Sequence, residues 1–115
     1  MRCGATILDA SGLRLTAQEK ALFRAVKPFG FILFARNIDT PDQVRALCAE
    51  MRDAAGHDAV ITVDQEGGRV QRLRAPQWRD WSAPLDFVQA AGSHAAEAMY
   101  LRFRLIADEL HRVGI

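Results

Sequence analysis

The chain has 115 residues, half of them hydrophobic and a quarter charged, and 15 basic against 14 acidic side chains leave a net charge of +1. That length leaves room for one domain. No apolar run approaches the roughly 20 residues that span a membrane, and the start, Met1 to Asp9, turns acidic too soon for a secretory signal. A soluble globular domain is expected, with the membrane, secreted-precursor and disordered-tail classes set aside. No basic stripe of the kind nucleic acid demands is present.

The two cysteines, Cys3 and Cys48, lack CxxC or metal-ligand spacing. A reducing, cytoplasmic setting is expected. His57, His94 and His111 are scattered without an HxxxH pair, so neither a metal site nor a cofactor is expected.

The elements alternate. Ala5 to Leu8 is a short strand candidate, followed by a turn through Asp9, Ser11 and Gly12. Thr16-Ala17-Gln18-Glu19 reads as a capping box, in which the hydroxyl and the carboxylate each satisfy an orphan backbone N–H. The spacing predicts a helix from Ala17 to about Val26, ended by Pro28 and Gly30. Phe31-Ile32-Leu33-Phe34 is apolar throughout, the pattern of a parallel strand covered on both faces. Thr40-Pro41-Asp42-Gln43 opens a second helix, with proline at the first helical position, where a missing N–H is harmless. Val44, Leu47, Cys48 and Met51 form one apolar stripe on it, and Gly56 can close it. On that stripe Cys48 would act as a small hydrophobe. Val60 to Val63 is the third strand. A connection of about thirty residues follows, and a last helix is predicted from near Ser93 with Met99, Phe103, Ile106, Leu110 and Val113 facing the core.

Such alternation implies right-handed βαβ units and a parallel sheet. Three units are visible, and either an eight-unit barrel or an open doubly wound sheet can contain them. Both place ligands at the carboxyl ends of the strands. The richest such segment is Asp64-Gln65-Glu66-Gly67-Gly68-Arg69-Val70-Gln71-Arg72, which opens the long connection. Connections of that length in compact domains are usually functional.

Asp64 follows the strand directly. Its carboxylate suits two vicinal hydroxyls of a sugar, and its structural alternative is to cap its own turn. Gly67-Gly68 lets the backbone approach a ligand closely. Arg69 and Arg72 offer planar forks of donors, and one of them can instead pair with Glu66. Asp64 and Glu66, two apart, also suggest the carboxylate pair of a glycosidase, although the Gly-Gly turn works against a shared face. Arg36 and Asn37, after the second strand, either face the same pocket or, through Arg36, brace Asp64 or Glu66. Asp9, after the first strand, reads as a structural support. Trp78 and Trp81 either wall a pocket or pack the connection onto the rim, with packing favoured.

Gly30-Phe31-Ile32-Leu33-Phe34-Ala35-Arg36-Asn37 and, some 26 residues later, Val63-Asp64-Gln65-Glu66-Gly67-Gly68-Arg69-Val70-Gln71-Arg72 together resemble glycoside hydrolase family 3. Within it they resemble the bacterial cytoplasmic β-N-acetylhexosaminidases of peptidoglycan recycling. The resemblance covers nearly the whole chain and is weakest from Trp78 to Asp86. It implies that residues 1–115 are the N-terminal portion of a TIM (β/α)8-type barrel, with about three βα units present. It implies a carbohydrate substrate, a terminal β-linked N-acetylglucosamine on a muropeptide, while charge and hydropathy already point to no nucleic acid or membrane partner. Asp64 matches the aspartate that hydrogen-bonds sugar hydroxyls, and Arg72 matches a substrate-binding arginine. Arg69, Glu66 and Arg36 are possible supporting residues. The nucleophile and the acid/base histidine are expected beyond Ile115, so the 115-residue chain alone is expected to be inactive. A fourth strand is expected to begin at Gly114-Ile115. The alternative is a non-catalytic sugar- or anion-binding α/β module, with Arg69, Arg72 and the Gly-Gly turn as an anion nest.

Overall fold

The computed structural model describes residues 2–115. After strand β1 (Gly4–Leu8), the capping box forms as expected: Thr16 Oγ1 accepts from the Glu19 amide at 3.1 Å, and Glu19 accepts from the Thr16 amide at 2.7 Å. Glu19 also takes the Ser11 amide at 2.7 Å, which ties the preceding turn to the helix. Helix α1 runs Ala17–Val26 and leads directly into β2 (Pro28–Leu33). Pro28 and Gly30 therefore do more than end the helix, because they lie inside the strand. Proline is tolerated as a strand's first residue, where no ladder N–H is required of it. Phe34 lies just beyond. Ala35–Asn37 forms a single 3₁₀ turn, and helix α2 follows at Pro41–Ala55, closed by Gly56 in the left-handed conformation. Strand β3 is Val60–Val63.

The three strands are parallel in the order β1-β2-β3, with Ile7, Gly30 and Val60 in one row and Leu8, Phe31 and Ile61 in the next. The second row faces the helices. Phe31 meets Phe23 of α1 edge to face at 4.9 Å between ring centroids. Val44, Leu47, Cys48 and Met51 of α2 are all buried in the same core as Phe23, Phe31, Leu33 and Ile61. Helices α1 and α2 also pack against each other, so both crossovers lie on one side of the sheet. Burial pushes the Cys48 thiol up to about 11, so it acts as a hydrophobe.

The opposite face corrects the expectation of a strand covered on both sides. Ile7 and Val60 are 51% and 44% exposed there, flanking Gly30. A Cβ at Gly30 would lie 2.5 Å from the Val60 carbonyl oxygen, so only glycine lets the two strands lie in this register. The radius of gyration, 15.9 Å, exceeds the ~13 Å of a compact domain this long, as expected with one sheet face open.

The long connection is more ordered than expected. It folds into a hairpin of β4 (Gln65–Gly67) and β5 (Val70–Gln71), then a turn through Trp78, then helix α3 (Pro84–Ala91). Helix α4 runs Ala95–Arg112. Its predicted core stripe is partly corrected. Ile106 and Val113 are buried, but Phe103 is 45% exposed and its neighbour Arg102 is the buried side chain. Arg102 has aromatic partners from the connection, which turns the helix by about one position from the apolar reading.

Candidate functional site

The loops after β1 and β2 brace each other. Arg36 pairs with Asp9 and donates from Nε to the Ala10 carbonyl at 3.1 Å, with its guanidinium stacked 4.8 Å from the Phe34 ring centre. Asn37 is fully buried. Its Nδ2 donates to the carbonyls of Ala10 and Gly12 at 2.9 and 2.8 Å, and its Oδ1 accepts from the Phe34 amide at 2.9 Å. The expectation that Arg36 braces Asp64 or Glu66 is therefore corrected: its carboxylate partner is Asp9. Asp9 is a support, as expected.

The third mouth is built by the hairpin. Asp64 stands between β3 and β4, at the carboxyl end of the sheet, with its side chain 44% exposed. Arg72 follows β5 directly, and its Nη2 lies 3.2 Å from Asp64 Oδ2. The antiparallel pairing of Gln65 with Gln71 brings the two together across the hairpin. Arg72 thus has Asp64, not Glu66, as its ionic partner. At this exposure the pair adds little stability, about 0–1 kcal/mol, and both groups keep hydrogen-bonding capacity for a ligand.

Glu66 is exposed and its carboxylate makes no hydrogen bond among the described residues. Arg69 sits exposed at the hairpin turn, also without a hydrogen bond among the described residues. Of the groups in the anion-nest alternative, Arg72 pairs with Asp64 through Nη2, and the Gly68 amide donates to the Trp81 carbonyl at 2.7 Å. Beside β3 lies an open cleft of about 370 Å³, rimmed by Asp64 and Glu66 and walled by Val63, Phe103, Ile106 and Leu110.

The residues that hold this mouth are ones the sequence pattern does not single out. Gln65 Oε1 accepts from the amides of Arg72 and Leu73, both at 3.0 Å, while its Nε2 donates to the Leu73 carbonyl at 2.8 Å. Gln71 Nε2 donates to the carbonyls of Leu73 and Arg79, and its Oε1 accepts from the Trp81 amide at 3.0 Å. Both glutamines are buried, and their amides stand in for missing backbone partners. Trp78 is buried in the core, so packing the connection is its role. Trp81 is half-buried against Arg102. The Gly68-Arg69 pair between two short polar strands is the one local signal that points to a hairpin.

Gly67 and Gly68 both take positive φ, +110° and +62°. At Gly67 the space is also closed: a Cβ there would collide with Arg102 Nη2 and the Ser82 carbonyl. Among the described residues no group of three or more His, Cys, Asp or Glu side chains gathers to hold a metal ion, and no helix is long and apolar enough to cross a membrane.

The chain is 41% identical over 111 residues to a β-hexosaminidase of Methylococcus capsulatus, an alignment covering 95% of this chain and 32% of that protein. It is 52% identical over 71 residues to a β-hexosaminidase of Pseudomonas aeruginosa, covering 62% of this chain and 21% of the relative. No family model matches. Among solved structures, NagZ from Neisseria gonorrhoeae in complex with N-trifluoroacetyl-D-glucosamine superposes with a TM-score of 0.89 at 32% identity, over 100% of this chain and 34% of that one. The chain belongs to glycoside hydrolase family 3, on its β-N-acetylhexosaminidase side. A family 3 β-N-acetylglucosaminidase from Paenibacillus superposes with a TM-score of 0.83 at 29% identity, over 95% of this chain and 21% of that one. This family 3 chain spans between 21% and 34% of the length of these relatives. Its α/β architecture, with a three-stranded parallel sheet, matches their N-terminal domain.

Proposed function

We propose that these 115 residues carry part of the sugar-binding mouth of a β-N-acetylhexosaminidase, with Asp64 and Arg72 as the sugar ligands. The observation that carries this reading is the Asp64–Arg72 pair, 3.2 Å apart at the carboxyl end of the parallel sheet. A carboxylate there accepts from two vicinal hydroxyls at once. The guanidinium beside it, engaged with Asp64 through one nitrogen, has further N–H groups for a hydroxyl or an acetamido oxygen. Arg69 and Glu66, exposed on the same hairpin, are placed to support an incoming ligand, whereas Arg36 supports the neighbouring loop. The similarity to hexosaminidases, one of them solved with an N-acylated glucosamine, favours terminal N-acetylglucosamine as the sugar. A muropeptide in cytoplasmic cell-wall recycling is the substrate that fits the family resemblance.

The barrel reading is preferred to the doubly wound one. Strand order follows chain order and both crossover helices lie on one side, as a barrel requires and as one βαβαβ half of a doubly wound sheet also shows, and the family resemblance favours the barrel. In this reading the open sheet face is the barrel interior, and the cleft between β3 and α4 takes the next strand. The nucleophile and acid/base then lie outside residues 1–115, and this span binds sugar without cleaving it.

Isothermal titration of the purified chain with N-acetylglucosamine tests the reading. Binding with a roughly millimolar Kd is expected, and Asp64→Ala should abolish it, with no release of nitrophenol from 4-nitrophenyl N-acetyl-β-glucosaminide. Wild-type binding left intact by Asp64→Ala removes the sugar-ligand role. Turnover that vanishes in that variant places the chemistry here instead.

A further inference from the structure

Arg102 is an unusual residue for the middle of a helix. It is 1% exposed, and no carboxylate among the described residues forms an ion pair with it. Its Nη2 donates to the carbonyls of Glu66 at 2.5 Å and Ser82 at 2.7 Å. Its guanidinium carbon lies 4.6 Å from the Phe87 ring centre and 5.3 Å from that of Trp81. Nε and Nη1 are buried with no hydrogen-bond partner among the described residues. Burial pulls its pKa down.

A buried cation with unpaired donors is a poor way to gain stability, because a well-packed apolar side chain avoids the desolvation cost. What arginine supplies is geometry. One nitrogen joins two backbone carbonyls from different segments, and two aromatic faces hold its plane. The segments are telling. Glu66 lies in β4, two residues after Asp64, and Ser82 lies just before α3. The Gly68 amide donates to the Trp81 carbonyl at 2.7 Å, so the hairpin is moored to the same stretch. Gly67 leaves the room that Arg102 occupies.

We infer that Arg102 is a positioning residue for the Asp64–Arg72 mouth: it locks the hairpin against α3 and α4, and so sets the affinity for sugar. The affinity half of this inference rests on the sugar-ligand reading of Asp64 and Arg72, whereas the lock on the hairpin does not. Methionine at 102 matches the bulk and removes every donor. Lysine restores one charged nitrogen with rotatable N–H donors but no planar fork.

The experiment uses the whole chain with Arg102→Met and Arg102→Lys, reading amide hydrogen exchange by NMR alongside N-acetylglucosamine titration. R102M should speed exchange at Gly68 and Arg72 by about tenfold or more relative to the amides of α1 and α2, as local opening does. It should weaken N-acetylglucosamine binding by about tenfold, and R102K should recover about half of the logarithm of that loss. Wild-type exchange at Gly68 in folded R102M overturns the inference, as does faster exchange spread equally over α1 and α2. If R102M does not fold, Phe87→Leu replaces it. That variant removes one face beneath the guanidinium, and unchanged exchange at Gly68 in it overturns the inference equally. A wild-type chain that takes no sugar ends the sugar-ligand reading and the affinity half, while Gly68 exchange still decides the lock.

Discussion

The two halves of the molecule are held by different forces. From β1 to β3, apolar stripes on α1 and α2 close over one face of a parallel sheet, and the core is almost wholly hydrocarbon. From β4 to α4, the organising contacts are amides and a guanidinium reaching for backbone carbonyls: Gln65, Gln71 and Arg102. The first half tolerates change of side chain so long as volume is kept. The second depends on the donor and acceptor geometry of three residues. A hydrophobic layer therefore serves as the frame, and a polar lattice shapes the mouth attached to it.

The sharpest way to break the comparison is to strike the frame. Phe31→Ala removes the ring packed on Phe23 and should cost about 3–5 kcal/mol, read as a lowered urea midpoint. Gln71→Ala orphans the Arg79 carbonyl and the Trp81 amide and should cost about 1–3 kcal/mol. Its loss should be seen first as faster amide exchange around Trp81, with α1 and α2 unaffected. An equal loss of exchange protection across the whole chain would erase the distinction between frame and lattice.

Besides the buried Asn37, the frame contains another polar staple, Glu50. Its carboxylate takes two bonds from Arg14 at 3.0 and 2.8 Å, the Leu15 amide at 3.1 Å and Lys20 Nζ at 3.1 Å. Chiefly through the Arg14 bonds, and against the opposing effect of burial, its pKa falls to about 2. A depressed carboxylate pKa adds stability above the ordinary value, 4.5, and that contribution is lost as pH falls toward 2. With solvent screening the effect should be about 1 kcal/mol. It is read as the difference in urea midpoint between pH 6 and pH 2.5, which Glu50→Gln should shrink. The smallest stability effect is expected of Asp64→Asn, within about 0.5 kcal/mol, although under the proposed function its effect on sugar binding should be the largest of all. Stability and binding measured together on that variant separate a ligand from a brace.

Legibility divides along the same line. The Thr16–Glu19 capping box, the Val44-Leu47-Cys48-Met51 stripe, Gly56 and the bounds of β3 were all readable, because each is a local pattern that its own segment enforces. Asp64 stood out from its place after a strand and Arg72 from the family resemblance, and the structure brings them together. The hairpin was missed because β4 and β5 are three and two residues long, too short to show alternation. Arg102 was missed for a different reason. Periodicity assigns an arginine to solvent, and only the rings of Trp81 and Phe87, distant in the chain, make its burial tolerable. The partner of Arg36 was equally invisible, since Asp9 and Asp64 are both carboxylates that follow a strand.

Gln65 imposes a further constraint. Its carboxamide faces Leu73 as a neighbouring peptide group would, oxygen to N–H and nitrogen to C=O. It is in effect a spare peptide unit carried on a side chain, extending a two-rung ladder by one rung. Few replacements keep that rung. Glutamate sets an oxygen against the Leu73 carbonyl in place of the donor, asparagine is one methylene too short, and leucine has the size but neither pole. Deamidation, which exchanges one nitrogen for one oxygen, would therefore act here as a lesion of the backbone ladder, and the mouth would age through a residue that touches no ligand.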